Sequence, residues 1–188
     1  YAYVADGNAG LAVIDISNPA SPGAPVYRNT NGSARGVAIS GNYAYVADRS
    51  SGLAIIDISN PTSPGVPVYK KASGFALGVT VSGDYAYLAD DIAGLAVIDI
   101  SDPTNPGTPE NENNTGYAEG VAINGNYAYV ADGSSGLAVI DISNPINPGA
   151  PVYMNTNGYA YGASIKGNYA YVADGLSGLA IIPIFNTI

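Results

Sequence analysis

The sequence predicts an all-β chain made of one supersecondary unit repeated five times, and three observations carry the prediction. The string Tyr-Ala-Tyr-Val-Ala-Asp stands at Tyr1, Tyr43, Tyr127 and Tyr169, with Leu for Val in the copy at Tyr85. Every step (43 − 1, 85 − 43, 127 − 85, 169 − 127) is therefore 42 residues. A period of that size carrying strand-like runs marks a stacked-repeat architecture. Each string is followed by a short polar turn and a second apolar run, as in Leu-Ala-Ile-Ile-Asp-Ile-Ser at residues 53–59. Nowhere do apolar residues recur at helical spacing over a useful length, which excludes a helical solenoid.

The second repeat shows how each copy is built. Residues 36–40 (GVAIS) form a first strand, A, ended by the tight turn Gly41-Asn42. Residues 43–48 (YAYVAD) form strand B, in which Tyr43, Tyr45 and Ala47 point to one face and Ala44, Val46 and Asp48 to the other. Neither face is plainly polar. After the turn at 49–52, residues 53–58 form strand C, again apolar on both sides apart from Asp57. A strand hydrophobic on both faces must be covered on both faces. The connection Ser59-Asn60-Pro61-Thr62-Ser63-Pro64-Gly65 forbids helix and fixes a stiff surface link. Residues 67–70 follow as strand D, mixed in polarity and opened by Pro67, as suits an edge.

Four-stranded antiparallel units of this length, with inner strands covered on each side, fit blades stacked around an axis, which is a β-propeller. The strings Leu-Ala-Val-Ile-Asp-Ile-Ser at Leu11, Leu95 and Leu137, the Leu53 variant, the YAYVAD strings before them and the Asn/Asp-Pro…Pro-Gly links after them resemble the LVIVD repeat. The resemblance covers essentially the whole chain. It implies a propeller-like fold in bacterial and archaeal surface or secreted proteins, and speaks to architecture far more than to chemistry.

Residues 1–188 are read as one repeat domain with copies starting at 1, 43, 85, 127 and 169. The chain opens at strand B and stops soon after a strand C, giving a first blade without A, a last blade without D, and 18 strands (3 + 4 + 4 + 4 + 3). Two layouts satisfy this pattern. The preferred one is five blades with incomplete first and last members. The alternative is a four-bladed ring closed by pairing of residues 162–166 with residues 1–6, leaving 169–188 as an extra hairpin. Pro183 replaces the Asp of the other C strands and the run closes as Ile-Phe-Asn-Thr-Ile over 184–188, so this strand is expected to be an edge and the segment a cap.

Composition narrows the function classes. Six Lys and Arg against fifteen Asp and Glu give a net charge of −9, which disfavours nucleic acid and anionic membrane as partners. No apolar run is long enough to span a bilayer. There is no His, hence no Ser-His-Asp arrangement or His-based metal site, and no Cys, hence no thiol nucleophile, thiolate zinc site or disulfide. No cofactor is indicated. A paired-carboxylate glycosidase through Asp91 and Glu119 is the residual enzyme reading. The expectation is a non-catalytic extracellular or cell-surface scaffold that associates with protein, including itself through the open strands of its end blades. A lectin-like module binding glycan or peptide is the alternative.

Comparison of the copies locates candidate binding residues. The A-to-B turns hardly vary, whereas the residue before strand A is Arg35, Leu77, Glu119 or Tyr161, and the residue after the strand-B Asp is Gly7, Arg49, Asp91, Gly133 or Gly175. Phe75, Tyr117 and Tyr159 stand two residues before the first set. D-to-A and B-to-C loops share one propeller face, so Arg35, Arg49, Phe75, Leu77, Asp91, Tyr117, Glu119, Tyr159 and Tyr161 define a variable face expected to bind a partner.

Repeated residues read as structural. The strand-B tyrosines are expected to pack between blades with their hydroxyls reaching edge partners. Asp6, Asp48, Asp90, Asp132 and Asp174 are expected to accept local backbone N–H groups in their turns, in preference to binding calcium, which wants six to eight oxygens that no single loop gathers. Asp15, Asp57, Asp99 and Asp141 interrupt apolar strands, so they are expected to be buried and hydrogen-bonded. Asn31-Gly32-Ser33 and Asn113-Asn114-Thr115 are N-glycosylation acceptor sequences in predicted surface loops.

Overall fold

A computed structural model describes residues 1–184; the close at 185–188 lies outside them. The chain forms 18 strands in five antiparallel sheets. The first sheet holds β1 (Ala2–Ala5), β2 (Leu11–Ile14) and β3 (Val26–Arg28). The second runs β4 (Gly36–Ser40), β5 (Tyr43–Ala47), β6 (Leu53–Asp57), β7 (Val68–Lys70). The third is β8 (Gly78–Ser82), β9 (Tyr85–Ala89), β10 (Leu95–Asp99), β11 (Glu110–Glu112). The fourth is β12 (Gly120–Asn124), β13 (Tyr127–Ala131), β14 (Leu137–Asp141), β15 (Val152–Met154). The fifth is β16 (Gly162–Lys166), β17 (Tyr169–Ala173) and β18 (Leu179–Pro183), with a single 3₁₀ turn at Gly175–Ser177.

Every sheet is a meander in chain order, and register is identical from copy to copy: Tyr43 faces Asp57 as Tyr85 faces Asp99 and Tyr127 faces Asp141. The strand alternation then decides what meets between sheets. Tyr45, Ala47, Leu53 and Ile55 of the second sheet pack on Ala86, Leu88, Ala96, Ile98 and Ile100 of the third. Tyr87, Ala89, Leu95 and Val97 meet Ala128, Val130, Ala138 and Ile140 in the same way, and the seams between first and second and between fourth and fifth sheets repeat the pattern. Large residues on one face thus meet alternating alanine and branched residues on the next, the interdigitation that close packing needs. The arrangement is an arc of propeller blades.

The four-bladed ring does not occur. β16 pairs with β17 and β1 with β2, and among the described residues no apolar seam joins the fifth sheet to the first. Among the described residues β18 is an edge that pairs only with β17, in keeping with Pro183 and its missing N–H.

The innermost strands come unusually close. An added Cβ on Gly36 would lie 3.4 Å from the Cα of Gly78, one on Gly78 would lie 3.1 Å from that of Gly120, and one on Gly120 would lie 3.1 Å from that of Gly162. The bare glycine at the start of each A strand is what lets the strands converge. The residues just before them, Arg35, Leu77, Glu119 and Tyr161, are thereby brought side by side at the axis.

Candidate functional site

The face carrying these residues is built by one repeated joint. In each joint the B-to-C turn of one blade pairs with the link entering the next: Arg49 N donates to Ala76 O and Ala76 N to Arg49 O, at 3.0 and 3.1 Å. Gly7 and Ala34, Asp91 and Ala118, and Gly133 and Ala160 make the same two-bond bridge. The turn residue has left-handed φ in every copy, including the non-glycine Arg49 (φ 45°) and Asp91 (φ 53°). Such φ values are uncommon for side-chain-bearing residues and here aim a variable side chain at the joint.

In three of these joints, at Arg49, Asp91 and Gly133, the turn residue follows a buried aspartate, and a fourth such aspartate precedes Gly175. Asp48, Asp90, Asp132 and Asp174 are fully buried, and each accepts the N–H of a glycine sixteen residues earlier: Gly32, Gly74, Gly116 and Gly158, at 2.8 to 3.0 Å. The expectation of local turn bonds is therefore corrected. These carboxylates clasp the link from the preceding blade, which lies beside the turn in space but not in sequence. Asp6 is exposed. The second aspartate series is corrected in the opposite sense. Asp15 and Asp57 are exposed and Asp99 and Asp141 half-buried at strand ends, where each accepts the N–H of the serine two residues on at 2.8 Å. Those bonds hold all four carboxyls below their ordinary range.

The clasp differs between copies. Thr30 and Thr156 donate their hydroxyls to Oδ1 of Asp48 and Asp174, at 2.7 and 2.6 Å. The same repeat position is Ala72 or Asn114 in the other two copies, and Oδ1 of Asp90 and of Asp132 is buried with no partner. The Asn114 amide is itself buried, beside Asp132. Burial pushes the Asp132 carboxyl up to about 6, against the opposing pull of the Gly116 N–H and the Asn114 side chain, and raises that of Asp90 as well, against the Gly74 and Ser73 N–H groups.

A raised native pKa means that the folded chain binds protons more readily than the unfolded one between about pH 4 and 6, so these two groups add stability as pH falls from 7 toward 5. For Asp132 the gain is about 1 kcal/mol. The exposed aspartates act the other way, but only below their ordinary range, so the window is clear of them. Asn114→Thr, which supplies the missing hydroxyl, is expected to stabilise the protein by about 1 kcal/mol at pH 7 and to flatten the dependence. Urea midpoints at pH 5 and pH 7 for both chains check this; parallel pH profiles would refute it.

The variable side chains divide into groups. Arg35 is exposed and lines a cavity of about 420 Å³ with Ala5, Gly7, Asn8, Ser33 and Ala34. The Arg49 guanidinium lies over the Phe75 ring, 5.3 Å from its centroid. Tyr159 donates its hydroxyl to Glu119 Oε1 at 3.0 Å and packs its ring against Tyr161, 4.8 Å between centroids. Gly133 leaves room for that ring, since a Cβ there would fall 2.8 Å from its Cζ. Desolvation first, then the Glu119 bond and charge, with smaller effects of Tyr161 and Asp91, push the Tyr159 hydroxyl up to about 12. Leu77 is half-buried and donates its N–H to Ala89 O, while Tyr117 is exposed. Arg35 thus stands apart from the aromatic and acidic group of Glu119, Tyr159 and Tyr161, on which Asp91 also acts.

Tyr45, Tyr87 and Tyr129 are buried in the seams. The tyrosines that fasten loops are Tyr69 and Tyr153 of the outer strands, which accept from Asn31 N at 2.9 Å and Thr115 N at 2.8 Å. Asn31 and Asn113 are both exposed. Among the described residues no group of three or more acidic residues could hold a metal ion, and no helix is long and apolar enough to cross a membrane.

A family model described as LVIVD repeat matches residues 1–25, 31–67, 73–112, 115–156 and 157–187, one match per sheet. The chain belongs to the LVIVD-repeat family. Solved structures share the fold of this LVIVD-repeat chain at low identity. A functionally unknown protein from Desulfotomaculum acetoxidans DSM 771 is 17% identical with a TM-score of 0.69, over 94% of this chain and 63% of that one. BamB from Moraxella catarrhalis is 17% identical with a TM-score of 0.64, over 96% of this chain and 56% of BamB. The computationally designed Ika4 protein is 12% identical with a TM-score of 0.64, over 84% of this chain and 94% of the design. The chain therefore spans less than two thirds of the two natural structures. A search of curated proteins returns no significant match.

Proposed function

We propose that this LVIVD-repeat chain is a non-catalytic extracellular or cell-surface scaffold for protein association, joining copies of itself through its two uncovered end faces. One observation carries the reading. The outward face of the fifth sheet presents Leu179 and Ile181, 62% and 56% exposed, at the positions where Leu53 and Ile55 are buried against the following sheet. The first sheet presents the opposite face, with Val4 43% exposed where Leu88 of the third sheet is buried. One end of a molecule is thus built like the partner that the other end lacks. The resulting contact is head-to-tail, which closes into a ring or runs on as a filament according to the rotation per step.

The span of the chain, 56% of BamB and 63% of the Desulfotomaculum protein, leaves room for a second copy to supply the rest of a larger assembly of the same fold. Exposed acceptor sequences at Asn31 and Asn113 support an extracellular setting. Light scattering after size exclusion, over a concentration series, is expected to show mass rising with concentration. Ile181→Lys, which places a charge in the middle of the contact, is expected to hold the chain monomeric with an unchanged circular dichroism spectrum. A wild-type chain that stays monomeric throughout would refute the reading.

A further inference from the structure

On the variable face one joint carries its own cation and the next does not. At the second blade, Arg49 pairs with Ala76 through backbone and lays its guanidinium over the neighbouring Phe75 ring, 5.3 Å from the centroid. The backbone geometry is reproduced one blade on, where Asp91 pairs with Ala118 and holds nearly the same left-handed φ, 53° against 45°. Tyr117 takes the place of Phe75 there. But the turn residue is now a carboxylate, so the Tyr117 ring, 49% exposed, has no cation over it among the described residues.

Two carboxylates neighbour Tyr117, one across the joint and one along the chain. Asp91 belongs to the joint itself, and Glu119 follows Tyr117 by two residues with Oε1 fixed by the Tyr159 hydroxyl at 3.0 Å. Both also act on the Tyr159 hydroxyl of the next joint. We propose that the Asp91–Tyr117–Glu119 joint is a receptor for an arginine side chain of a partner protein, which takes over Tyr117 the place that Arg49 takes over Phe75. A guanidinium suits both components, because its plane stacks on an aromatic face while its N–H fork meets a carboxylate. A chain of net charge −9 also draws basic segments toward it before contact. The site lies on the loop face, away from the sheet faces at the two ends, so it neither requires nor excludes self-association.

The test is binding of a short fluorescent peptide of alternating arginine and glycine, followed by anisotropy at about 150 mM salt, where long-range attraction is screened. A peptide with glutamine in place of arginine is the reference. Tyr117→Ala and Asp91→Arg are each expected to weaken arginine-peptide binding about fivefold, the second by seating the chain's own guanidinium on the ring. Asp91→Arg reproduces what Arg49 already does at this turn, and Tyr117→Ala removes an exposed ring, so neither threatens the fold. Glu110→Lys on the outer strand β11 makes the same change of charge as Asp91→Arg and is expected to leave affinity within twofold of wild type. Absence of binding, equal binding of the glutamine peptide, or equal weakening by Glu110→Lys and Asp91→Arg would overturn the proposal.

Discussion

Asp48→Ala is expected to destabilise the protein by about 3 kcal/mol, because it takes a buried acceptor from two part-buried donors at once. The Thr30 hydroxyl and the Gly32 N–H both end on this fully buried carboxylate, at 2.7 and 2.8 Å. Each orphaned donor forfeits its bond and keeps its desolvation cost, which is why the penalty exceeds the net worth of two ordinary hydrogen bonds. Asp48→Asn keeps one acceptor oxygen and is expected to fall midway.

The comparison that makes the result diagnostic is Asp57→Ala. Asp57 is exposed and its carboxylate bonds locally to Ser59, so its loss is expected to cost about 1 kcal/mol or less. Urea denaturation of the three variants at pH 7 reads the difference directly as shifts in midpoint. Equal shifts for Asp48→Ala and Asp57→Ala would show that the clasp contributes no more than an exposed turn bond.

These two aspartates mark where the sequence stops being legible. Strand boundaries, the 42-residue register, the five-sheet count and the edge at Pro183 are all local or periodic properties, and the alternation in Tyr43–Ala47 and Leu53–Asp57 is enough to see both faces covered. Which aspartate is buried is not a local property. Asp48 and Asp57 both punctuate apolar runs, yet the first is enclosed by residues 30–32 of the preceding link and the second lies at an open strand end. The signal for the clasp was present in the other partner: glycine recurs at 32, 74, 116 and 158 in the same 42-residue frame. The glycines at 36, 78, 120 and 162 likewise announce the close approach at the axis once they are read as a series.

The candidate site was legible as a set of variable positions and not as an arrangement. Equivalence of loops places Arg49 near Phe75 and Asp91 near Tyr117. The separation of Arg35 from the acidic and aromatic group depends on side-chain sizes that only the packed structure combines: Gly7 and Ser33 leave a cavity beside Arg35, whereas Gly133 is filled by the Tyr159 ring. The tyrosine–carboxylate bond between Tyr159 and Glu119 spans forty residues. It rests on the convergence of A strands that carries position 119 to position 161.

Gly74→Ala should be as damaging as loss of the carboxylate, for a steric reason that acts on the same clasp. A Cβ at residue 74 would lie 2.2 Å from the Asp90 carbonyl oxygen and 3.3 Å from the Ala93 Cβ. The first of these is backbone, so no rotamer change relieves it, and the link must withdraw from the turn. Withdrawal lengthens the 2.8 Å bond from Gly74 N to Asp90 Oδ2 and carries Phe75, the next residue, out from beneath Arg49. Overpacking with loss of a buried bond costs about 3 kcal/mol. Gly83 is the matched control. It has φ +56° in the β8-to-β9 turn, with nothing within 4 Å of an added Cβ, so Gly83→Ala meets only the left-handed backbone penalty of about 1 kcal/mol. The two substitutions thus separate close approach from backbone strain. Because the penalty at Gly74 comes from a backbone contact between a turn and the link of the preceding blade, the same ranking should hold for Gly116→Ala against Gly125→Ala one repeat later, where the Cβ would fall 2.2 Å from the Asp132 carbonyl oxygen and in open space respectively. Equal urea midpoints within either pair would mean that the link can slide on the turn, and that the loop face is positioned by something other than the aspartate clasp.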